Sequence, residues 1–247
     1  MRLIDRHAQT SRYRHLPAAE KLIAATGAMA VALTAESFLV EAAVLAAAVA
    51  LLTLGARVGP RDLWRAARVP VGFVLAGSLA QATSLSLHGG LPSLAWPVGS
   101  LEPAAFVALR SLACIAALLG LALTTPLADL LHLLRRGGLG RELGDIAFLM
   151  LRIIWVTLDC LTEGLRSQAN RLGFVGYRRS LRSLGLLLAA LLPRTLGRAR
   201  RLETGLAARG YDGALCFLRQ EQPVSALRLG MILGGLAALA TLARLGA

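Results

Sequence analysis

Residues 22–56 read LIAATGAMAVALTAESFLVEAAVLAAAVALLTLGA, and the way this run is divided decides the fold. It is apolar apart from Glu36 and Glu41. As one helix it would be about 52 Å long at 1.5 Å per residue. The hydrocarbon core of a bilayer is only about 30 Å thick, and both carboxylates would fall at mid-helix, where charge is most costly. A hairpin removes both difficulties. Residues 22–35 cross one way, the chain turns tightly at Glu36-Ser37, and residues 38–56 cross back. The first arm is short, and Lys21 can lengthen its reach by snorkelling outward.

Working outward, Arg57, Arg61, Arg65 and Arg68 follow, with Pro60 as a breaker. Residues 69–87 and 103–123 are each long enough to span, provided Arg110 lies near an interface or faces protein. The intervening SLHGGLPSLAWPVGSLE is rich in Gly and Pro, has no Lys or Arg, and offers Trp96 as an interfacial anchor. A last span is expected over 227–245, where Gly230, Gly234, Gly235, Ala237 and Ala238 suit close helix packing in lipid. The whole chain of 247 residues is 56 % hydrophobic, with mean hydropathy +0.62 and net charge +13. A soluble domain is usually about 45–50 % apolar, so grease and charge must be segregated along this sequence.

They are segregated in a way that orients the chain. Residues 1–21 hold five Lys/Arg, residues 57–68 hold four, residues 86–103 hold none and residues 127–228 hold sixteen. The positive-inside rule then puts 1–21, 57–68 and 127–228 in the cytoplasm. The expected fold is an all-α integral membrane protein with about five transmembrane helices plus long amphipathic cytoplasmic helices. Its divisions are a cytoplasmic segment 1–21, four transmembrane helices in 22–126, a cytoplasmic segment 127–225 and a last transmembrane helix in 226–247. The charged N-terminal stretch lacks the form of a cleaved signal peptide. The expected location is the bacterial cytoplasmic (inner) membrane, multi-pass, with the N-terminus inside.

The segment 127–225 is neither a clean span nor a soluble domain. In 146–165, Arg152, Asp159 and Glu163, followed by Arg166 and Asn170, share one helical face, which predicts a long amphipathic helix. A second helix is expected from 181 through Pro193 to 208, with Pro193 kinking or restarting it and Gly210 ending it as the residue beyond the C-cap. A short helix over 125–136 should stop at Gly137-Gly138. This basic surface could touch anionic lipid headgroups as a membrane scaffold, or its helix ends could dock into an acidic soluble partner. Nucleic-acid binding fits poorly, because the arginines lie between apolar faces and no such motif is present.

Two of those helix ends carry familiar residues. Ala207-Ala208-Arg209-Gly210-Tyr211-Asp212-Gly213 resembles the second Ala-Arg-Gly signature of the transmembrane T component of energy-coupling factor (ECF) transporters. Gln168-Ala169-Asn170-Arg171-Leu172-Gly173-Phe174 stands in the place of the first signature. Ser11-Arg12-Tyr13-Arg14-His15-Leu16-Pro17 followed by Glu20-Lys21-Leu22 is similar to the start of the cobalt and nickel (CbiQ/NikQ) branch. The resemblance implies an ABC importer in which two ABC-type (CbiO-like) ATPase subunits bind this chain from the cytoplasm. A substrate-specific (CbiM/NikM-like) membrane subunit, with a small auxiliary (CbiN-like) subunit, would capture the ion. Contact with the ATPase subunits would fall on Asn170, Arg171, Leu172, Ala208, Arg209 and Gly210. Asn170-Arg171-Leu172 departs from Ala-Arg-Gly, keeping the arginine but losing the glycine.

Chemistry that the chain lacks points the same way. Lys21 is the only lysine and stands outside any GxxxxGK[ST] context, so no Walker A cradle is present. ATP and Mg would be handled by partner subunits, and no cofactor is expected on this chain. His7, His15, His88 and His132 are scattered without metal-ligand spacing, and His88 alone could meet an incoming ion. Cys114, Cys160 and Cys216 lack CxxC spacing. No DDxxD, GxSxG or HExxH occurs, and Asp159/Glu163 read as a solvated face beside Arg166 rather than as an acid–base pair.

Overall fold

The computed structural model describes residues 8, 11–88, 91–95, 101–138, 140–211 and 225–245. After a short turn at Arg12–His15, α1 covers Ala18–Thr34. Helix α2 covers Phe38–Ala50 and runs on as a wider π turn through Leu51–Gly55, and α3 covers Pro60–Ala82. Strands β1 (Ser84–His88) and β2 (Leu91–Ala95) pair antiparallel, with Ser84 opposite Ala95. Five helices follow: α4 (Leu101–Thr124), α5 (Leu127–Arg136), α6 (Arg141–Asn170), α7 (Tyr177–Ala207) and α8 (Ala226–Leu245). The chain divides into two compact units, Met1–Leu130 with Gln220–Ala247, and Leu131–Arg219.

In the first unit the apolar run at 22–56 is a helical hairpin. Ala35 and Ser37 are extended, so the helix stops there and restarts at Phe38. Glu36 sits at this break and is exposed. Glu41 does not share the turn. It lies one turn inside α2, fully buried, where its Oε1 accepts a 3.0 Å hydrogen bond from Arg110 Nε on α4. The same guanidinium donates from Nη2 to the Ala35 carbonyl and stands 4.6 Å from the centre of the Phe106 ring. Phe106 in turn meets Phe38 edge-on at 5.2 Å. Arg110 therefore faces protein, and two charges that would each be costly in an apolar medium satisfy one another.

Helix α4 is central, packing against α1, α2 and α3, while α8 packs against α1 and α2. The shared core is built mostly of small residues: Ala32, Ala35 and Ala113 with Val31, Val40 and Val44. Small side chains let helix backbones approach closely where water supplies no driving force. Gly27 shows how close, because the Leu236 side chain of α8 occupies the place a Cβ there would take. The glycines of α8 do otherwise. Gly230, Gly234 and Gly235 face open space, and α8 meets this core through Leu236, Leu239, Ala240 and Ala243.

Five spans were expected, and among the described residues three helices meet the length and composition required to cross a bilayer: Phe38–Gly55, Leu101–Thr124 and Ala226–Arg244. Helix α1 has 17 residues, which is about 26 Å. Helix α3 begins at Pro60 rather than near 69, so Arg61, Arg65 and Arg68 belong to the helix and not to a loop. Pro60 starts it because its missing N–H is not needed at the first helical position. Gly59 accepts from the backbone of Asp62 and Leu63. Trp64, Val69, Phe73, Leu75 and Leu79 of α3 are all exposed.

The first turn of α1 reaches two further helix ends of this unit. Glu20 is 2 % exposed, and its Oε1 accepts a 3.0 Å hydrogen bond from the backbone N–H of Ser225, which precedes α8. Its Oε2 lies 3.5 Å from Arg228 Nε. Lys21 Nζ donates to the carbonyl of Thr124, the last residue of α4, at 3.0 Å.

In the second unit α6 packs on α7. Leu187 of α7 is buried against Gly164 of α6, and Arg135 pairs with the nearly buried Asp145 at 3.0 Å. Pro193 was expected to kink or restart the helix, and α7 runs through it as one helix, without a restart. The ring's fixed φ is helical, and the local cost is one absent N–H donor. Helix α5 ends at Gly137-Gly138 as its sequence suggested, Gly137 donating to Leu133 and Leu134.

Candidate partner interface at two helix ends

Arg171 and Arg209 occupy the same position in two copies of one backbone motif. At the end of α7, Tyr211 N–H donates to the Leu206 carbonyl and Gly210 N–H to the Ala207 carbonyl, both at 3.1 Å. At the end of α6, Gly173 N–H donates to Gln168 at 2.8 Å and Leu172 N–H to Ala169 at 3.0 Å. Each is the paired 6→1 and 5→2 pattern that closes a helix with a left-handed residue beyond its cap. In both, arginine directly precedes a residue of positive φ: Leu172 at 56° and Gly210 at 71°.

The altered first signature thus keeps the geometry of the second. Glycine enters the left-handed region freely, whereas an L-residue pays about 1–2 kcal/mol there. Leu172 is held in it by its surroundings. The buried Ser183 donates from Oγ to the Gly173 carbonyl at 2.9 Å, and a Cβ on Gly173 would meet that hydroxyl and the Gln168 carbonyl. Gly176, at φ 83°, then turns the chain into α7. The α6–α7 turn is closed by α7 itself, while Asp212 and Gly213 of the second signature lie outside the described residues.

All six residues read from the sequence as contacts are exposed: Asn170, Arg171, Leu172, Ala208, Arg209 and Gly210. Among the described residues, neither Arg171 nor Arg209 has an ion-pair or hydrogen-bond partner for its guanidinium. The structure does not bring the two arginines together. They stand before and after α7, which has 31 residues and a contour of about 46 Å. Each is a separate contact point, with a planar donor fork suited to carboxylates and carbonyls. The helix C-terminus also favours a cation at each place.

The rest of the second unit is consistent with an amphipathic pair. Arg152, Asp159, Glu163 and Arg166 are exposed on α6. A cavity of about 430 Å³ between α6 and α7 has an apolar floor including Ile153, Val156 and Leu191, with Arg194, Arg198 and Arg201 along it. Among the described residues, no group of three His, Cys, Asp or Glu could hold a metal ion. Cys114 and Cys160 are free thiols, and Cys216 and Trp96 lie outside the described residues. Sequence reasoning missed the Glu41–Arg110 pair and the reach of Glu20 and Lys21. The signal available was carboxylates in one apolar run and a lone arginine in another, since opposite charges in apolar surroundings call for each other.

Comparison with known proteins follows this geometry. Residues 9–222, which include both helix ends, match the family of CbiQ, described as a cobalt transport protein. The chain is 42 % identical over 232 residues to the cobalt transport protein CbiQ of Rhodobacter capsulatus, covering 93 % of each chain. It is 29 % identical over 164 residues to the cobalt transport protein CbiQ of Salmonella typhimurium, covering 62 % of this chain and 73 % of that one. It is also 28 % identical over 183 residues to a fused cobalt transport protein CbiMQ of Methanocorpusculum labreanum, covering 70 % of this chain and 30 % of the fusion.

Proposed function

This chain belongs to the CbiQ family of cobalt transport proteins, and on that premise we propose that it is the coupling subunit of an ECF importer for cobalt, or nickel, ions. It is a membrane component of cobalt transport. In the proposed assembly, two ABC-type ATPase subunits bind ATP and Mg in the cytoplasm, and a separate membrane subunit captures the ion. The fused CbiMQ relative supports pairing with a CbiM-like subunit, because fusion joins two chains that work together. A small auxiliary CbiN-like subunit completes the expected set. We place the chain in the bacterial inner membrane with its N-terminus inside, and α1 and α3 cross beside the three more apolar helices.

The observation that carries this reading is the twofold use of one cap. Arg171 and Arg209 stand at the same backbone position in two matching helix ends, exposed and without side-chain partners among the described residues. Two equivalent ATPase subunits call for two equivalent contact points, and α7 sets the spacing between them. Each guanidinium would enter a groove on one ATPase subunit. Closure of the ATPase pair on ATP would move the grooves relative to each other, and α6 and α7 would convey the movement to the membrane unit. The exposed glycines of α8 offer a smooth surface against which the substrate-binding subunit could turn.

The test is co-purification and uptake. Arg171→Ala/Arg209→Ala should lose the ATPase subunits and cut cobalt uptake at least tenfold, the loss expected of a central interfacial arginine pair, while membrane insertion stays normal. Uptake at the wild-type rate in that double variant refutes the proposal.

A further inference from the structure

We propose that Glu20 and Lys21 are positioning residues that clamp both membrane ends of the cytoplasmic segment to one turn of α1, so that its movement enters the membrane unit as a single displacement. The inference rests on the coupling reading above and goes beyond it, since neither residue belongs to the two arginine-bearing helix ends.

Helix α4 ends at Thr124, on the way to the second unit in sequence, and Ser225 leads back into α8 after it. The second unit, Leu131–Arg219, falls between those two points in sequence. Glu20 holds the return point, accepting from Ser225 N–H at 3.0 Å with Arg228 Nε at 3.5 Å. Lys21 holds the exit point, donating to the Thr124 carbonyl at 3.0 Å. Consecutive residues on a helix point about 100° apart, which is how neighbours on one turn serve two different helices.

The signs also match. The carboxylate meets the N-terminal end of α8, where unpaired N–H groups and the helix dipole favour an anion. The ammonium meets the C-terminal end of α4, where they favour a cation. Exchanging the two residues would place each against the wrong pole. Glu20 is almost wholly buried, although it stands in the first turn of a helix beside a charged segment. A residue serving only to neutralise surface charge would be solvated.

Without the clamp the ends of α4 and α8 could shift separately when the cytoplasmic segment moves, and movement would be dissipated between them. The measurement is cobalt taken up per ATP hydrolysed by the complete complex in liposomes, comparing wild type with Glu20→Gln and Lys21→Met. Gln keeps the size and one acceptor oxygen of Glu20 but removes its charge. Both variants should retain the ATPase subunits and hydrolyse ATP, while uptake per ATP falls about tenfold, within the usual range of coupling between sites. Lys21→Arg, which keeps the cation, should recover most of it.

An unchanged ratio in both variants overturns the proposal. So does a fall of uptake and hydrolysis in proportion, which would mean a merely weakened complex. Failure of both variants to accumulate in the membrane assigns the pair to folding alone and overturns it as well. If no ATPase accompanies even the wild-type chain, it is the coupling reading that fails, a result distinct from all of these.

Discussion

Charge is used in opposite ways in the two units. In the membrane unit Glu41, Glu20, Arg110, Arg228 and Lys21 are each paired with a partner far along the chain. In the other unit Arg171 and Arg209 are exposed at helix ends, with no side-chain partner among the described residues. A buried charge without a partner is heavily penalised, so the first set is committed to partners within this chain. An exposed charge costs little, so the second set is free to be spent on another protein. The number of arginines says nothing about which role each plays; the partner within reach does.

The contrast is open to attack in order of size. Arg110→Leu should destabilise the membrane unit by about 3–5 kcal/mol, since it leaves Glu41 buried and unpaired. Arg110→Leu/Glu41→Leu should recover most of that loss, and thermal unfolding in detergent micelles reads both. A double variant as unstable as the single would mean that packing, not charge, is what Arg110 supplies. Leu172→Gly acts in the opposite direction, relieving a left-handed leucine and stabilising the second unit by about 1 kcal/mol. No gain in its unfolding temperature would show that the leucine side chain earns its place through contacts. The smallest effect belongs to Arg209→Ala, which should change the stability of the isolated chain by less than about 0.5 kcal/mol. A larger loss would make Arg209 a structural residue and erase the distinction between the two units.

Much of the membrane unit was legible in the sequence because it is local. The run at 22–56 could be cut at Glu36-Ser37 from length and charge alone, and the chain does break there. The left-handed Gly210 was visible in the same way, from a glycine after an amphipathic run. Helix α3 was misplaced at its start because Pro60 was read as a stop, although proline equally begins helices. The charge pairs were out of reach for another reason. Glu41 and Arg110 lie 69 residues apart, and Glu20 and Ser225 lie 205 apart. Periodicity within a helix contains no information about which stray charge will meet which. The persistence of the cap geometry at Leu172 was equally hidden, since it depends on Ser183 reaching back from the next helix.

Lys21 has a practical corollary. It is the one lysine among 27 basic side chains, and its amine is already engaged with the end of α4. Reagents that attack lysine amines will find no such handle on the arginine-rich helices, however tightly those helices grip their partners. Cross-links that trace the assembly will have to be aimed at carboxylates such as Glu163 and Glu203, or at cysteines placed beside Arg171 and Arg209.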